Sequence, residues 1–163
     1  MCISYIVEWF QALPSSVIVV LIAMAPIAEL RAAIPIAIGV YGLDPATAYF
    51  LSVVGNMLPI IPLLLFLDSV SAKLRRARTF DHFFDWLFAR THRRYNNSVQ
   101  KYGALALALF VAIPLPVTGA WTGCAAALVF GIKARYAFPA ILSGVLIAGI
   151  IVTMTSIGVI IWL

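Results

Sequence analysis

The 163-residue chain is 64% hydrophobic and only 10% charged. Soluble domains carry about 25% charged residues, so the composition excludes an ordinary soluble domain and indicates an integral membrane protein. The formal net charge is +5, and the basic residues concentrate in the stretch 69–102, with a shorter basic connection at Lys133 and Arg135. The positive-inside rule predicts that both connections are cytoplasmic in a multi-pass protein of the cell membrane. No nucleic-acid-binding motif accompanies them, so nucleic acid is not an expected partner.

The first part of the chain predicts an interfacial segment and a hairpin. Residues 1–13 are expected to lie at the membrane interface. The apolar stretch 14–43 is interrupted near its middle by four residues, namely Pro26, Glu29, Arg31 and Pro35. Each arm then has about 15 residues, or roughly 22 Å of helix, which is less than the ~30 Å of the hydrocarbon core. These lengths favour a re-entrant hairpin with the prolines at its tip; a single kinked span is the alternative.

The next two segments differ in polarity. Residues 45–67 carry no charge and predict a transmembrane helix. Within it Asn56, one turn before the prolines at positions 59 and 62, either faces a polar cavity or packs in the bundle. Residues 69–102 combine basic residues with aromatic residues at helical spacing, which predicts an amphipathic helix in the cytoplasmic head-group layer. The alternative for this helix is a cap packed on the protein.

The second half repeats this order. Residues 103–131 are broken at Pro114 and Pro116, where a helix loses backbone donors, and they predict a second re-entrant hairpin. Residues 136–163 are uncharged and predict a second transmembrane helix. Its small residues at a four-residue spacing allow close helix packing, within one chain or in a homodimer; they are Ala140, Gly144 and Ala148.

The expected fold is therefore an all-α integral membrane protein. It is an inverted repeat of a re-entrant helical hairpin plus a transmembrane helix, with a central amphipathic cytoplasmic helix between the two halves. One crossing per half means that the second half inserts upside down relative to the first. Inverted repeats with broken helices are typical of secondary transporters.

Glu29 and Arg31 are the strongest candidates for function. A charge at bilayer depth costs at least ~2.5 kcal/mol, so such residues are expected to have both a partner and a role. Side chains two positions apart diverge on a regular helix, and a break in the helix would help these two to pair. The guanidinium of Arg31 can hold an anionic group with two hydrogen bonds, while Glu29 can take up and release a proton. A purely structural salt bridge is the alternative.

The second tip is polar without being charged. A helix that restarts after Pro116 would present backbone N–H groups near Thr118, Gly119 and Thr122, an arrangement that favours anions. Trp121 either flanks an acyl chain or packs in the core. The sequence shows no catalytic constellation, metal-ligand spacing or cofactor motif, so we expect neither an enzyme nor a cofactor. Cys124 is expected to pack in the apolar interior.

Two stretches resemble the small multidrug export protein family: "APIAELRAAIPIAIGVYGL" and "KYGALALALFVAIPLPVTGAWTGCAAAL". The resemblance implies transport. That family is similar in turn to the DedA and VTT membrane proteins, which pair two re-entrant hairpins in inverted repeat and are linked to proton-driven movement of lipids, including polyprenyl phosphates. Glu29 and Arg31 match the DedA pattern in type. The uncharged second tip departs from it, because DedA proteins carry charges in both hairpins.

These observations together predict a proton-linked secondary transporter or flippase for an amphipathic anion such as a phosphate-bearing lipid. Arg31 would hold the head group, Glu29 would carry the proton, and the tip 114–123 would complete the site. One alternative is an exporter of amphipathic cations that Glu29 binds. Another is an energy-independent lipid scramblase or a membrane scaffold. The expected partners are membrane lipid, a small amphipathic substrate and protons.

Overall fold

A computed structural model of the chain describes residues 13–66, 97–115 and 118–162. All regular secondary structure in these ranges is helical, as predicted. The helices are α1 (Ser15–Met24), α2 (Glu29–Gly39), α3 (Pro45–Met57), α4 (Asn97–Ala112), α5 (Ala120–Val129) and α6 (Ala134–Trp162). The predicted interfacial segment, apart from its last residue, and residues 69–96 of the predicted amphipathic helix lie outside the described residues. The end of that predicted segment, 97–102, forms the start of α4.

Two helices are long and apolar enough to cross a membrane. After a turn at residues 58 and 59 helix α3 resumes, so that Pro45–Phe66 extends over 22 residues, and α6 has 29. At 1.5 Å per residue these are roughly 33 and 43 Å, enough for a ~30 Å hydrocarbon core. Large apolar side chains are exposed on these helices and on others, for example Phe50 of α3 at 64% and Leu109 of α4 at 58%. Surfaces of this kind are suited to lipid rather than water.

The described chain divides into two compact units, the first of which comprises residues 1–58 and 149–163. In the first unit α1, α2 and α3 pack pairwise against one another. Their shared core consists mainly of small side chains, namely Val19, Ala23, Ala33, Ala37 and Ala48. Gly55 on α3 lies so close to α1 that an added Cβ would be 2.6 Å from the carbonyl oxygen of Val20. Helices α1 and α3 therefore approach so closely at Gly55 that no side chain fits between them.

Local sequence explains where the helices of the first unit begin and end. Helix α1 stops at Met24 because Ala25, the residue before Pro26, takes an extended conformation (ψ 134°), as residues before proline prefer. Between α2 and α3 the chain turns at Gly42, whose φ of +61° suits glycine. Asp44 then caps α3, its Oδ2 accepting hydrogen bonds from the backbone N–H groups of Ala46 (3.0 Å) and Thr47 (3.3 Å).

The second unit, residues 59–148, is also built on close contacts at glycine. A Cβ on Gly123 of α5 would lie 2.7 Å from Cγ2 of Val111, and one on Gly144 of α6 would lie 2.6 Å from Cβ of Val111. Helix α4 therefore packs closely against both. Gly144 belongs to the predicted small-residue face of the last span, and its neighbours on that face, Ala140 and Ala148, are also buried. At Gly144 this face thus packs within the chain.

The turn between α5 and α6 is held by α4. Gly131 has a φ of +63°, and the N–H of Ile132 donates to the carbonyl oxygen of Ala127 (2.8 Å). The side chain of Gln100 donates to the carbonyl oxygen of Gly131 (3.1 Å) and accepts from the N–H of Lys133 (3.2 Å). The N-terminal turns of α4 therefore lie beside this turn.

The described chain repeats one order of elements: two helices, a turn with a left-handed glycine, and a long apolar helix. Helices α1 and α2 have 10 and 11 residues, roughly 15 to 17 Å each, and are too short to span the hydrocarbon core. The helices of the second pair have 16 and 10 residues. Re-entrant insertion and inversion of the repeat remain predictions.

Candidate functional site

The first candidate site is the tip that joins α1 to α2. Residues 25–28 form the turn, and the N–H of Glu29 donates to the carbonyl oxygen of Ala25 (3.0 Å). Glu29 has a φ of +47°, and no other non-glycine residue in the described ranges has a positive φ. A left-handed backbone at such a residue costs about 1 to 3 kcal/mol and persists only where the surrounding structure enforces it. Conformations of this kind cluster at functional sites.

Glu29 is almost fully buried. Glu29 is 6% exposed, and the next residue, Leu30, and Ile34 one turn on are also buried. Arg31 is half-buried, and Glu29 and Arg31 interact electrostatically. In a regular helix these two side chains would diverge. The left-handed backbone at Glu29 interrupts that regularity at the first residue of α2.

The two prolines of the first hairpin have different positions. Pro26 lies in the turn, whereas Pro35 lies inside α2 and not at the tip. Because proline has no N–H, Pro35 cannot donate to the carbonyl oxygen of Arg31 four residues earlier. The helix continues through Pro35 nonetheless, since in membrane helices neighbouring groups can satisfy the carbonyl that a proline leaves.

The second tip, between α4 and α5, is organised by two threonine hydroxyls. The Oγ1 of Thr118 donates to the carbonyl oxygen of Ile113 (2.6 Å) and accepts from the N–H of Leu115 (3.1 Å). The Oγ1 of Thr122 accepts from the N–H of Gly119 (2.9 Å), which is one half of a capping box. Both hydroxyls therefore stabilise the tip's own backbone.

One backbone N–H of the predicted anion site already has a hydrogen-bond acceptor within the chain. Thr118, Gly119 and Thr122 are brought together as expected, but the N–H of Gly119 already has Thr122 as its acceptor. Anion binding at this tip remains a prediction. Trp121 is half-buried in the first turn of α5, and Pro114 lies in the link after α4. Pro116 lies outside the described residues.

Helix α3 contains two buried polar residues. Ser52 and Asn56 are both fully buried. Among the residues described, none forms a hydrogen bond with Ser52 Oγ, Asn56 Oδ1 or Asn56 Nδ2. The sequence pointed to Asn56 as a polar residue in an apolar span, but nothing in it distinguished Ser52. The spacing of the two, four residues apart on one helix face, is the pattern that could have identified the pair.

Comparison with known proteins adds one finding. Residues 29–151, more than half of the chain, match the family described as "Putative small multi-drug export protein". The chain belongs to this family. Membership of the export family, together with the two apolar helices, indicates a membrane protein with a transporter-like role. The matched region begins at Glu29 and includes Arg31 and the second tip. No curated protein and no solved structure matches the chain.

Proposed function

We propose that this member of the small multidrug export family is a proton-linked secondary transporter or flippase for an amphipathic anion, such as a phosphate-bearing lipid. The observation that carries the proposal is the burial and backbone conformation of Glu29. This residue is a buried carboxylic acid in a left-handed backbone, beside a guanidinium, on one of three helices that pack together, α1, α2 and α3. A residue that only had to begin α2 with this backbone would be a glycine, because glycine adopts the conformation without strain.

The proposed mechanism divides the work between the two charged residues. Arg31 remains protonated and binds the anionic head group through two hydrogen bonds, which a guanidinium supports better than an ammonium. While the anion occupies Arg31, Glu29 loses its counter-charge. A buried carboxylate without a counter-charge is costly, so Glu29 takes up a proton. Release of the anion restores the pair and returns the proton.

The surroundings of the tip suit a lipid-like cargo. Ile27 lies in the turn two residues before Glu29 and is 96% exposed. An exposed isoleucine next to a buried acid gives the tip an apolar surface on which an acyl chain can lie. The head group would then bind at Arg31 and the acyl chain would lie along the apolar surface. The polar and apolar parts of the amphiphile would thus be separated as they are in the bilayer.

The test is flipping of a fluorescent polyprenyl phosphate analogue in proteoliposomes, with and without an imposed pH gradient. We expect the wild type to flip the analogue faster with the gradient. Glu29→Gln, which has nearly the same shape but cannot take up a proton, should lose the response to the gradient. Asp44→Asn is the matched control, since it removes an exposed carboxylate of the same unit while asparagine preserves the cap of α3.

The outcomes separate the proposal from the other candidate functions. Flipping that ignores both the gradient and Glu29→Gln would indicate a scramblase with a structural ion pair. Export of amphipathic cations is the second candidate, favoured by the family description and by the buried acid. In that case tetraphenylphosphonium, and not the phosphate analogue, would be transported, and Glu29→Gln would abolish its transport.

A further inference from the structure

The unsatisfied polar groups on α3 form a cluster that the mechanism above does not use. Ser52 and Asn56 are four residues apart and therefore lie on the same face of the helix. Both are fully buried, and in the described ranges their three polar side-chain atoms have no hydrogen-bond partner. Their neighbours Val53 and Met57 are buried apolar residues.

Burial of this kind is unfavourable unless a group beyond the described residues compensates for it. A buried hydroxyl or amide that loses its water without gaining a partner costs about 1 to 3 kcal/mol, and most buried polar groups in proteins have a partner. Alanine at position 52 and leucine at position 56 would remove this penalty. Polar side chains at both positions therefore point to a ligand that forms the hydrogen bonds.

The cluster lies at the same end of the first unit as Glu29. Gly55, which directly precedes Asn56, packs against Val20 and Ala23 in the last turns of α1. Helix α1 then ends, and after the turn 25–28 the chain enters α2 at Glu29. Asn56 thus lies on α3 at the level of the tip, and Ser52 lies one turn earlier, about 6 Å along the axis.

The chemistry of the cluster indicates what kind of ligand it takes. The amide of Asn56 donates two hydrogen bonds and accepts others, and the hydroxyl of Ser52 both donates and accepts. In addition Pro59 cannot donate to the carbonyl oxygen of Gly55. The cluster is uncharged and rich in both donors and acceptors. It matches a phosphate monoester, which offers several acceptor oxygens and, when protonated, a donor.

We propose that Ser52 and Asn56 bind the polar head group of the transported amphiphile through hydrogen bonds, while Arg31 neutralises its charge. This inference rests on the proposed transport of an anion and assigns to it a further part of the binding site on α3. Because both residues are covered in this structure, the head group enters when α3 separates from the hairpin. At its contact with the hairpin, Gly55 of α3 faces backbone atoms of Val20 and the Cβ of Ala23.

The experiment measures thermal unfolding of the purified full-length protein in dodecyl maltoside, titrated with dodecyl phosphate and, separately, with dodecylammonium. The variants are Ser52→Ala and Asn56→Leu. The matched control is Ser156→Ala, a buried serine whose Oγ already donates to the carbonyl oxygen of Val152 (2.7 Å). We expect both variants to bind dodecyl phosphate at least about tenfold more weakly, as follows from the loss of one hydrogen bond to a charged group. The control should bind like the wild type.

Each outcome decides the inference. Unchanged binding of dodecyl phosphate in Ser52→Ala and Asn56→Leu, with weakened binding in Arg31→Lys, would overturn it while leaving the proposed function intact. If dodecylammonium binds and dodecyl phosphate does not, the anion proposal fails. The site on α3 then stands only if the two variants weaken dodecylammonium binding. If Asn56→Leu does not fold, Ser52→Ala decides, because it removes a single oxygen. Without ligand, both variants should unfold at temperatures no lower than the wild type.

Discussion

At the scale of single residues, the first hairpin contains ionisable side chains in an apolar environment that does not favour them. Glu29 is ionisable, buried and left-handed, and each of these properties is unfavourable for an isolated glutamate. Arg31 offsets part of the cost through its electrostatic interaction with Glu29. Natural sequences accept local conflicts mainly where function requires them. This conflict is what supports the proposal that the pair carries the chemistry of the chain.

Arg31→Lys tests whether the guanidinium is needed for its two parallel hydrogen bonds or only for its charge. Lysine retains the charge but cannot form the bidentate pair. We expect the apparent affinity for the phosphate analogue to fall at least about tenfold, which corresponds to one charge-assisted hydrogen bond. The measurement is the concentration dependence of flipping in proteoliposomes. Wild-type affinity in Arg31→Lys would contradict the bidentate role.

At the scale of helices, both units depend on glycine and alanine at the contacts. In the first unit Gly55 packs against α1, and in the second Gly144 packs against Ala108 and Val111 of α4. Without a strong hydrophobic driving force inside lipid, helices associate through close van der Waals packing. A methyl group at these positions would collide with backbone atoms, which cannot move aside as a flexible side chain can.

Gly55→Ala tests this packing. The added Cβ would lie 2.6 Å from the carbonyl oxygen of Val20, and overpacking of this kind destabilises by about 1 to 3 kcal/mol. Gly158→Ala is the control, because its Cβ would meet nothing within 4 Å. In a helix this change should be neutral or stabilising by up to about 1 kcal/mol. Thermal unfolding in detergent measures both, and equal stability of the two variants would show that α1 and α3 are not held this closely.

At the scale of the whole molecule, those basic residues of the second unit that the structure describes lie near one turn. Lys101 follows Gln100, whose side chain contacts the turn that contains Lys133. Arg135 lies two residues further, with its guanidinium 4.7 Å from the ring centre of Tyr136. This grouping places the described end of the longer basic connection beside the shorter one. That both connections lie on the same side of the membrane, and which side that is, remain predictions.

Single cysteines test the topology. In a background of Cys2→Ser and Cys124→Ala, we expect a membrane-impermeant thiol reagent added outside intact cells to label Tyr41→Cys. Arg135→Cys should react only after permeabilisation. Ile27→Cys, at the tip of a re-entrant hairpin, should react under neither condition. Labelling of Ile27→Cys only after permeabilisation would show that α1 and α2 cross the membrane completely.

Composition and pattern determined the general character of the protein. The all-helical fold, the long helices at Pro45–Phe66 and Ala134–Trp162, and the interruption of the first hairpin near Glu29 could all be predicted. They depend on the polarity of consecutive residues and on backbone rules for proline. The free energy of transferring a helix into lipid is almost the sum of the contributions of its single residues. A linear sequence therefore contains this information.

Only the tertiary structure decided the details of the sites. It placed Pro35 inside α2, set Glu29 in a left-handed conformation, and used the hydroxyls of Thr118 and Thr122 for the local backbone. It also buried Ser52 beside Asn56 without partners in the described part of the chain. The hydrogen bonds of the two hydroxyls are local, but the course of the turn decides which backbone groups they reach. The burial of Ser52 and Asn56 depends on which helices approach one another and how closely, and such contacts, like that of Gly55 with Val20, join residues far apart in the sequence.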